Sequence, residues 1–135
     1  MATPYRLRQL ELREEAILDA AHQLLGKLGY EEMTMDVVAA EVGIAKASLY
    51  KHFPSKEKLA ARTMTRLFER TITRLQGLPS DLVAGEKLRQ MLEWVLQERL
   101  KGSIPHLPST NGALEQGLMT DEEYLAALFT LNAAL

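Results

Sequence analysis

The sequence contains no cysteine in its 135 residues. That excludes a disulfide framework and any thiolate metal site, and it suits a reducing cytoplasm. The histidines, His22, His52 and His106, lie far apart and share no ligand spacing such as H-x3-H, so no metal site is expected. No apolar run approaches the roughly 18 residues of a membrane-spanning helix. The N-terminal stretch MATPYRLRQLELREE is basic, but no apolar segment follows it, so it does not read as a secretory signal. There is no G-x-S-x-G, no phosphate-binding P-loop and no glycine-rich dinucleotide turn. Adjacent carboxylates such as Glu14 and Glu15 read as solvated. Neither catalysis nor a cofactor is expected. No strand pattern of useful length, internal repeat or low-complexity tract is present.

What is present is helical periodicity. The net charge is −2, but it is unevenly spread. Residues 1–76 hold 12 Lys/Arg against 10 Asp/Glu, and residues 77–135 hold 4 against 8. A locally basic face on an acidic chain can still meet a polyanion, because docking responds to the field of the contact surface.

Ile17, Ala20, Ala21, Leu24, Leu25 and Leu28 form one apolar stripe on a first helix over 8–28, stopped at Gly29. Thr34 caps a second helix over 35–41, which Gly43 ends. A third, over 45–52, stops before Pro54. Ser55 caps a fourth running to about Gln76, with Leu59, Met64, Leu67, Phe68, Thr71 and Leu75 as its stripe. After GLPSD, a fifth helix over 84–101 is expected to turn Leu88, Met91, Leu92, Val95 and Leu96 inward. Residues 102–112 read as a loop. Thr120 and Glu123 read as a capping box for a last helix, with Tyr124, Leu125, Leu128 and Phe129 on its buried side. The sequence ends at LFTLNAAL without a polar tail, which implies either a partial sequence or cover from another subunit.

The third helix is the informative one. At about 100° per residue, with Leu49 at zero, Phe53 and Ala45 fall within about 40° of it, on the side expected to be buried. Ala47 and Lys51 fall opposite, flanked by Ser48 and Tyr50. Small residues let a backbone enter a DNA major groove. There Ala47 can touch a thymine methyl, Lys51 can reach guanine O6/N7, and Ser48 can serve a base or a phosphate. Tyr50, His52, Lys46 and Lys56 sit where phosphates would pass. For His52, a packed or merely exposed imidazole remains an alternative. The amides opening the helix after Thr34 offer a further phosphate seat. Arg6, Arg8 and Arg13 could form a minor-groove arm.

The segment AILDAAHQLLGKLGYEEMTMDVVAAEVGIAKASLYKHFPSKEKL resembles the DNA-binding domain of the TetR family of bacterial transcriptional regulators. The long ordered motif G-[IV]-x-K-x-[ST]-L-Y-x-H-F-x-S-K-E-x-L carries the specificity of that resemblance. It implies a homodimer that binds double-stranded DNA at a palindromic operator and represses. It also implies an all-helical C-terminal domain holding a small-molecule effector, with the fourth helix joining the two. By that resemblance Thr34, Lys46, Ser48, Tyr50, Lys51, His52 and Lys56 take DNA-facing positions. Ala45 stands where the family often has a capping serine, and Ala47 where it often has glycine.

The expected architecture is all-α. Residues 1–54 form a three-helix helix-turn-helix domain, and residues 55–135 a partial effector-binding and dimerisation domain. Leu88, Met91 and Trp94 are candidates to line the effector pocket, although such a stripe also suits plain core. A helical interaction module that keeps the fold without binding DNA is the alternative.

Overall fold

The computed structural model describes residues 3–102 and 111–134, and the described residues form seven helices and no strand. Most of the expected loop at 102–112, with His106, lies outside them, as does Leu135.

The first helix, α1, spans Pro4–Leu28 and starts earlier than its apolar stripe suggests. Thr3 caps it, its hydroxyl accepting from the Arg6 N–H at 3.3 Å. Pro4 suits the first helical turn because its missing N–H would have no partner there. Arg6, Arg8 and Arg13 therefore lie on a rigid helix and not on an extended arm. Gly29 stops α1 with φ of 80° and its N–H on the Leu25 carbonyl.

α2 (Met35–Val42) begins at Thr34, whose Oγ1 accepts from the Val37 N–H at 3.1 Å. It ends at Gly43, which is left-handed with φ 81° and ψ 34°. That turn brings α3 (Lys46–His52) across α2, with Leu49 fully buried and Phe53 nearly so. Ser55 then caps α4 (Lys56–Gln76) by accepting from the Lys58 N–H at 3.0 Å.

Ile17, Leu25, Met33, Val38, Leu49 and Leu59 are the centre of the core, where α1, α2, α3 and the first turns of α4 meet. The same cluster continues through Leu114, Leu118 and Tyr124. α4 is thus shared between the N-terminal helices and the last two.

Four expectations fail in the second half. α5 (Ala84–Leu100) buries none of its residues: Leu88 is 61% exposed, and Leu92, Val95 and Leu96 also face out. An apolar stripe records which side of a helix would be buried, not whether another element arrives to cover it. A helix absent from the sequence reading, α6 (Gly112–Met119), packs on α4. Its two glycines hid it, yet Gly117 has a packing role. A Cβ there would stand 2.9 Å from the Glu57 Cβ, so only glycine lets α6 approach α4 this closely.

The last helix, α7 (Glu122–Ala134), is capped by Asp121 and not by Thr120. Asp121 Oδ1 accepts from the Tyr124 N–H at 2.9 Å, while Thr120 closes the end of α6. Tyr124 and Ala127 are buried, but Phe129 is 71% exposed.

Two ion pairs fasten α7 to α4. Lys58 Nζ lies 2.5 Å from the buried carboxylate of Asp121, and Arg62 pairs with Glu123. About two turns further along α4 from Lys58, Arg66 Nη1 reaches Glu15 at 3.0 Å and Asp19 at 2.8 Å, which fixes α1.

Candidate nucleic-acid interface

α3 has the two sides its sequence requires. Leu49 and Phe53 anchor it to the core, while Ala47 and Lys51 are exposed and Tyr50 is 41% exposed. Ser48 is half-buried at the edge. Ala47, Tyr50 and Lys51 therefore form one free surface carrying a methyl, a phenol and an ammonium.

The start of α3 has no side-chain cap, since Ala45 offers no hydroxyl. Its first amides lack the internal acceptor that a serine would supply there.

The remaining expected contacts are more constrained than the sequence suggested. Lys46 is exposed, but its Nζ is 3.1 Å from Asp36 on α2. The hydrogen bond that Lys46 donates to Asp36, with that carboxylate's charge, raises the Lys46 pKa above the usual lysine value. The ammonium is present and shared with a carboxylate. Thr34 is exposed, and its oxygen accepts from Val37. A hydroxyl that accepts one bond keeps its own proton for another acceptor.

Lys56 leans over the Tyr30 ring, 4.1 Å from its centroid, and donates to the Glu31 carbonyl at 3.3 Å. Burial, reinforced by the neighbouring Glu57, pushes the Tyr30 hydroxyl up to about 12. Tyr30 therefore stays neutral, and its face receives the Lys56 cation. This contact fixes the Gly29–Met33 turn against the start of α4.

His52 departs from its expected orientation. Its side chain is only 9% exposed, and Nδ1 lies 3.4 Å from Glu14 Oε1 on α1. The packed alternative is the observed one, because the end of α3 runs under α1 and not along the free surface.

Asp36, Glu14 and Tyr30, the partners of Lys46, His52 and Lys56, were missed by the sequence reading. Lys46 and Asp36 are ten positions apart, and His52 and Glu14 thirty-eight. No helical spacing relates such pairs; only the packing of α1, α2 and α3 does.

Among the described residues, Leu88, Met91 and Trp94 do not converge on one of the clefts. Leu88 points outward, and Met91 and Trp94 are half-buried. Trp94 instead receives the Arg74 guanidinium 5.3 Å from its ring centroid, which ties α5 to α4. A shallow cleft of about 460 Å³ lies elsewhere, between α4 and α7, beside Ile72 and Ala126. Among the described residues, no cluster of three or more His, Asp or Glu is placed to hold a metal ion. No described helix is long and apolar enough to cross a membrane.

Comparison with known proteins agrees with this geometry. Residues 17–63 match the family described as bacterial regulatory proteins, tetR family. The chain is 29% identical over 97 residues to the nucleoid occlusion factor SlmA of Pasteurella multocida (strain Pm70), covering 71% of this chain and 49% of that protein. It is 40% identical over 67 residues to the HTH-type transcriptional repressor KstR of Rhodococcus jostii (strain RHA1), covering 50% of this chain and 32% of that protein. The chain thus spans about half or less of the length of these curated relatives. Among solved structures, it is similar to a TetR-family transcriptional regulator from Vibrio parahaemolyticus, with a TM-score of 0.59 and 21% identity over 90% of this chain and 63% of that one. It also resembles a gamma-butyrolactone receptor described as ArpA-like, with a TM-score of 0.55 and 20% identity over 93% and 81% of the two chains. At these identities the structural likeness is one of fold.

Proposed function

We propose, from the match of residues 17–63 to the tetR family of bacterial regulatory proteins, that the chain is a sequence-specific DNA-binding transcriptional regulator. It acts as a dimeric repressor at a palindromic operator and is relieved by a small-molecule effector. The single observation that carries the DNA-binding reading is the two-sided α3: Leu49 and Phe53 locked inside, Ala47, Tyr50 and Lys51 left outside.

In this reading α3 enters the major groove. Ala47 and Lys51 meet base edges, and Tyr50, Lys46 and Thr34 meet phosphates. Ser48 serves at the edge of the groove, and Lys56 steadies the turn beside it. Residues 1–54 act as the DNA-binding domain, and residues 55–135 contribute to effector binding and dimerisation. The repressor name of one relative and the receptor name of one structural neighbour support this division of labour.

The test is selection of bound duplexes from a random pool, followed by sequencing. Enrichment of a two-fold symmetric sequence, with half-sites separated by about one helical turn or a multiple of it, is the expected outcome. Absence of any enriched sequence would overturn the reading.

One observation favours a second reading, a helical interaction module that has kept the fold. α3 starts without a cap, and Lys46 is already held by Asp36. That module would show no salt-dependent affinity for duplex DNA.

A further inference from the structure

The N-terminal half of α1 stands clear of the rest of the protein. Every residue from Pro4 to Ala16 is exposed, and burial begins at Ile17. This overhang carries Arg6, Arg8 and Arg13. Its acidic residues are not equivalent. Glu14 is occupied by His52 and Glu15 by Arg66, which leaves Glu11 as the acidic residue of the tip. The free end is therefore cationic.

Helix stability does not account for Arg6. The first turn of α1 holds no acidic residue, and Arg6 lies near the positive end of the helix dipole, where a cation is disfavoured.

At about 100° per residue, Arg6, Gln9 and Arg13 fall within about 60° of one another, and Arg8 falls on the far side. The Arg6–Arg13 stripe lies in line with Ile17 and Leu24, the side of α1 that packs on the body. The overhang starts where α1 passes the end of α3, at the contact between Glu14 and His52. Arg6, Gln9, Leu10 and Arg13 edge a shallow groove of about 250 Å³.

We propose that this stripe is a second phosphate-binding surface: Arg6 and Arg13 grip the DNA backbone beyond the base pairs that α3 contacts. This rests on the DNA-binding reading above. Eight residues separate Glu14 from Arg6, about 12 Å at 1.5 Å per residue, or roughly three to four base pairs past the end of α3. The stripe adds affinity and no base preference, because phosphates carry no sequence information.

The experiment measures affinity of the 135-residue chain for its selected duplex across a potassium chloride series. Wild type is compared with Arg6→Ala/Arg13→Ala, Arg8→Ala and Lys51→Ala. Loss of two phosphate contacts lowers the slope of log affinity against log salt by about 1.8. The double variant is expected to show that drop for cognate and scrambled duplexes alike. Arg8→Ala leaves the slope unchanged. Trimming about four base pairs from the outer end of each half-site should bring wild type down to the double variant. An unchanged slope in the double variant, or an equal drop in Arg8→Ala, overturns the proposal while leaving the role of α3 intact. If wild type itself shows no salt-dependent binding and Lys51→Ala changes nothing, the DNA-binding reading falls, and this surface falls with it. These substitutions are on exposed residues, so folding is preserved; helical circular dichroism verifies it.

Discussion

Lys51 and Leu49 are two positions apart, and their fates are opposite: one side chain is free in solvent, the other fully buried. The free one is expected to discriminate bases. Lys51→Ala should cost about 1–3 kcal/mol on the preferred operator and much less on others, read as relaxed preference in a binding competition. Tyr50→Phe removes a phosphate donor and should weaken all duplexes equally. Asp36 restrains Lys46 through a direct ion pair. Asp36→Asn should release that ammonium, raise affinity for any duplex and steepen its salt dependence by up to about one phosphate contact. The same change removes a carboxylate from the first turn of α2, so a small fall in melting temperature should accompany it. Ala45→Ser should do the reverse to stability. It supplies the missing cap of α3 and should add about 0.5–2 kcal/mol in denaturant unfolding.

At the scale of the element, glycine has two different reasons to be where it is. Gly43 has open space around the position of a Cβ but a φ of 81°, so its constraint is conformational. Gly117 has ordinary backbone but no room, because Glu57 of α4 occupies the space. Helix propensity alone says that Gly117→Ala should stabilise α6 by about 1 kcal/mol. The contact with Glu57 reverses the sign: overpacking of about 1–3 kcal/mol should win, and denaturant unfolding should show a less stable protein. A gain in stability would mean that α6 does not sit on α4. α5 is the opposite case, an amphipathic helix with its apolar side uncovered. Its apolar residues recur at helical spacing, but none of them is buried.

For the whole molecule, α4 is the common support. Arg66 binds α1, and Lys58 and Arg62, in the preceding turns, bind the start of α7. Burial alone would raise the Asp121 pKa, but hydrogen bonds from Lys58 and the Tyr124 N–H outweigh it and hold the group below its ordinary value. A carboxylate depressed in the folded state contributes stability above its unfolded pKa, and that contribution is lost as pH falls through the folded pKa. Stability should therefore decline below about pH 4, starting near the ordinary aspartate value. Asp121→Asn should flatten that acid limb and lower the plateau at neutral pH, as read by thermal unfolding across a pH series. An unaltered acid limb would show that other carboxylates control it.

The N-terminal helices were legible because their determinants are local. Thr34 and Ser55 cap, Gly29 and Gly43 stop, and the alternation of Leu49 and Phe53 with Ala47 and Lys51 assigns both sides of α3 without reference to any neighbour. The all-α class follows from the same short-range rules. Where side chains from distant positions meet was decided by packing. The turning of His52 to Glu14, the restraint of Lys46 by Asp36 and the exchange of Thr120 for Asp121 as a cap each depend on how helices cross. So does the burial of one apolar stripe and the exposure of another. Hydrogen bonds within one turn of helix are set by the order of residues, whereas desolvation depends on which surfaces come together, and only the folded chain brings them together.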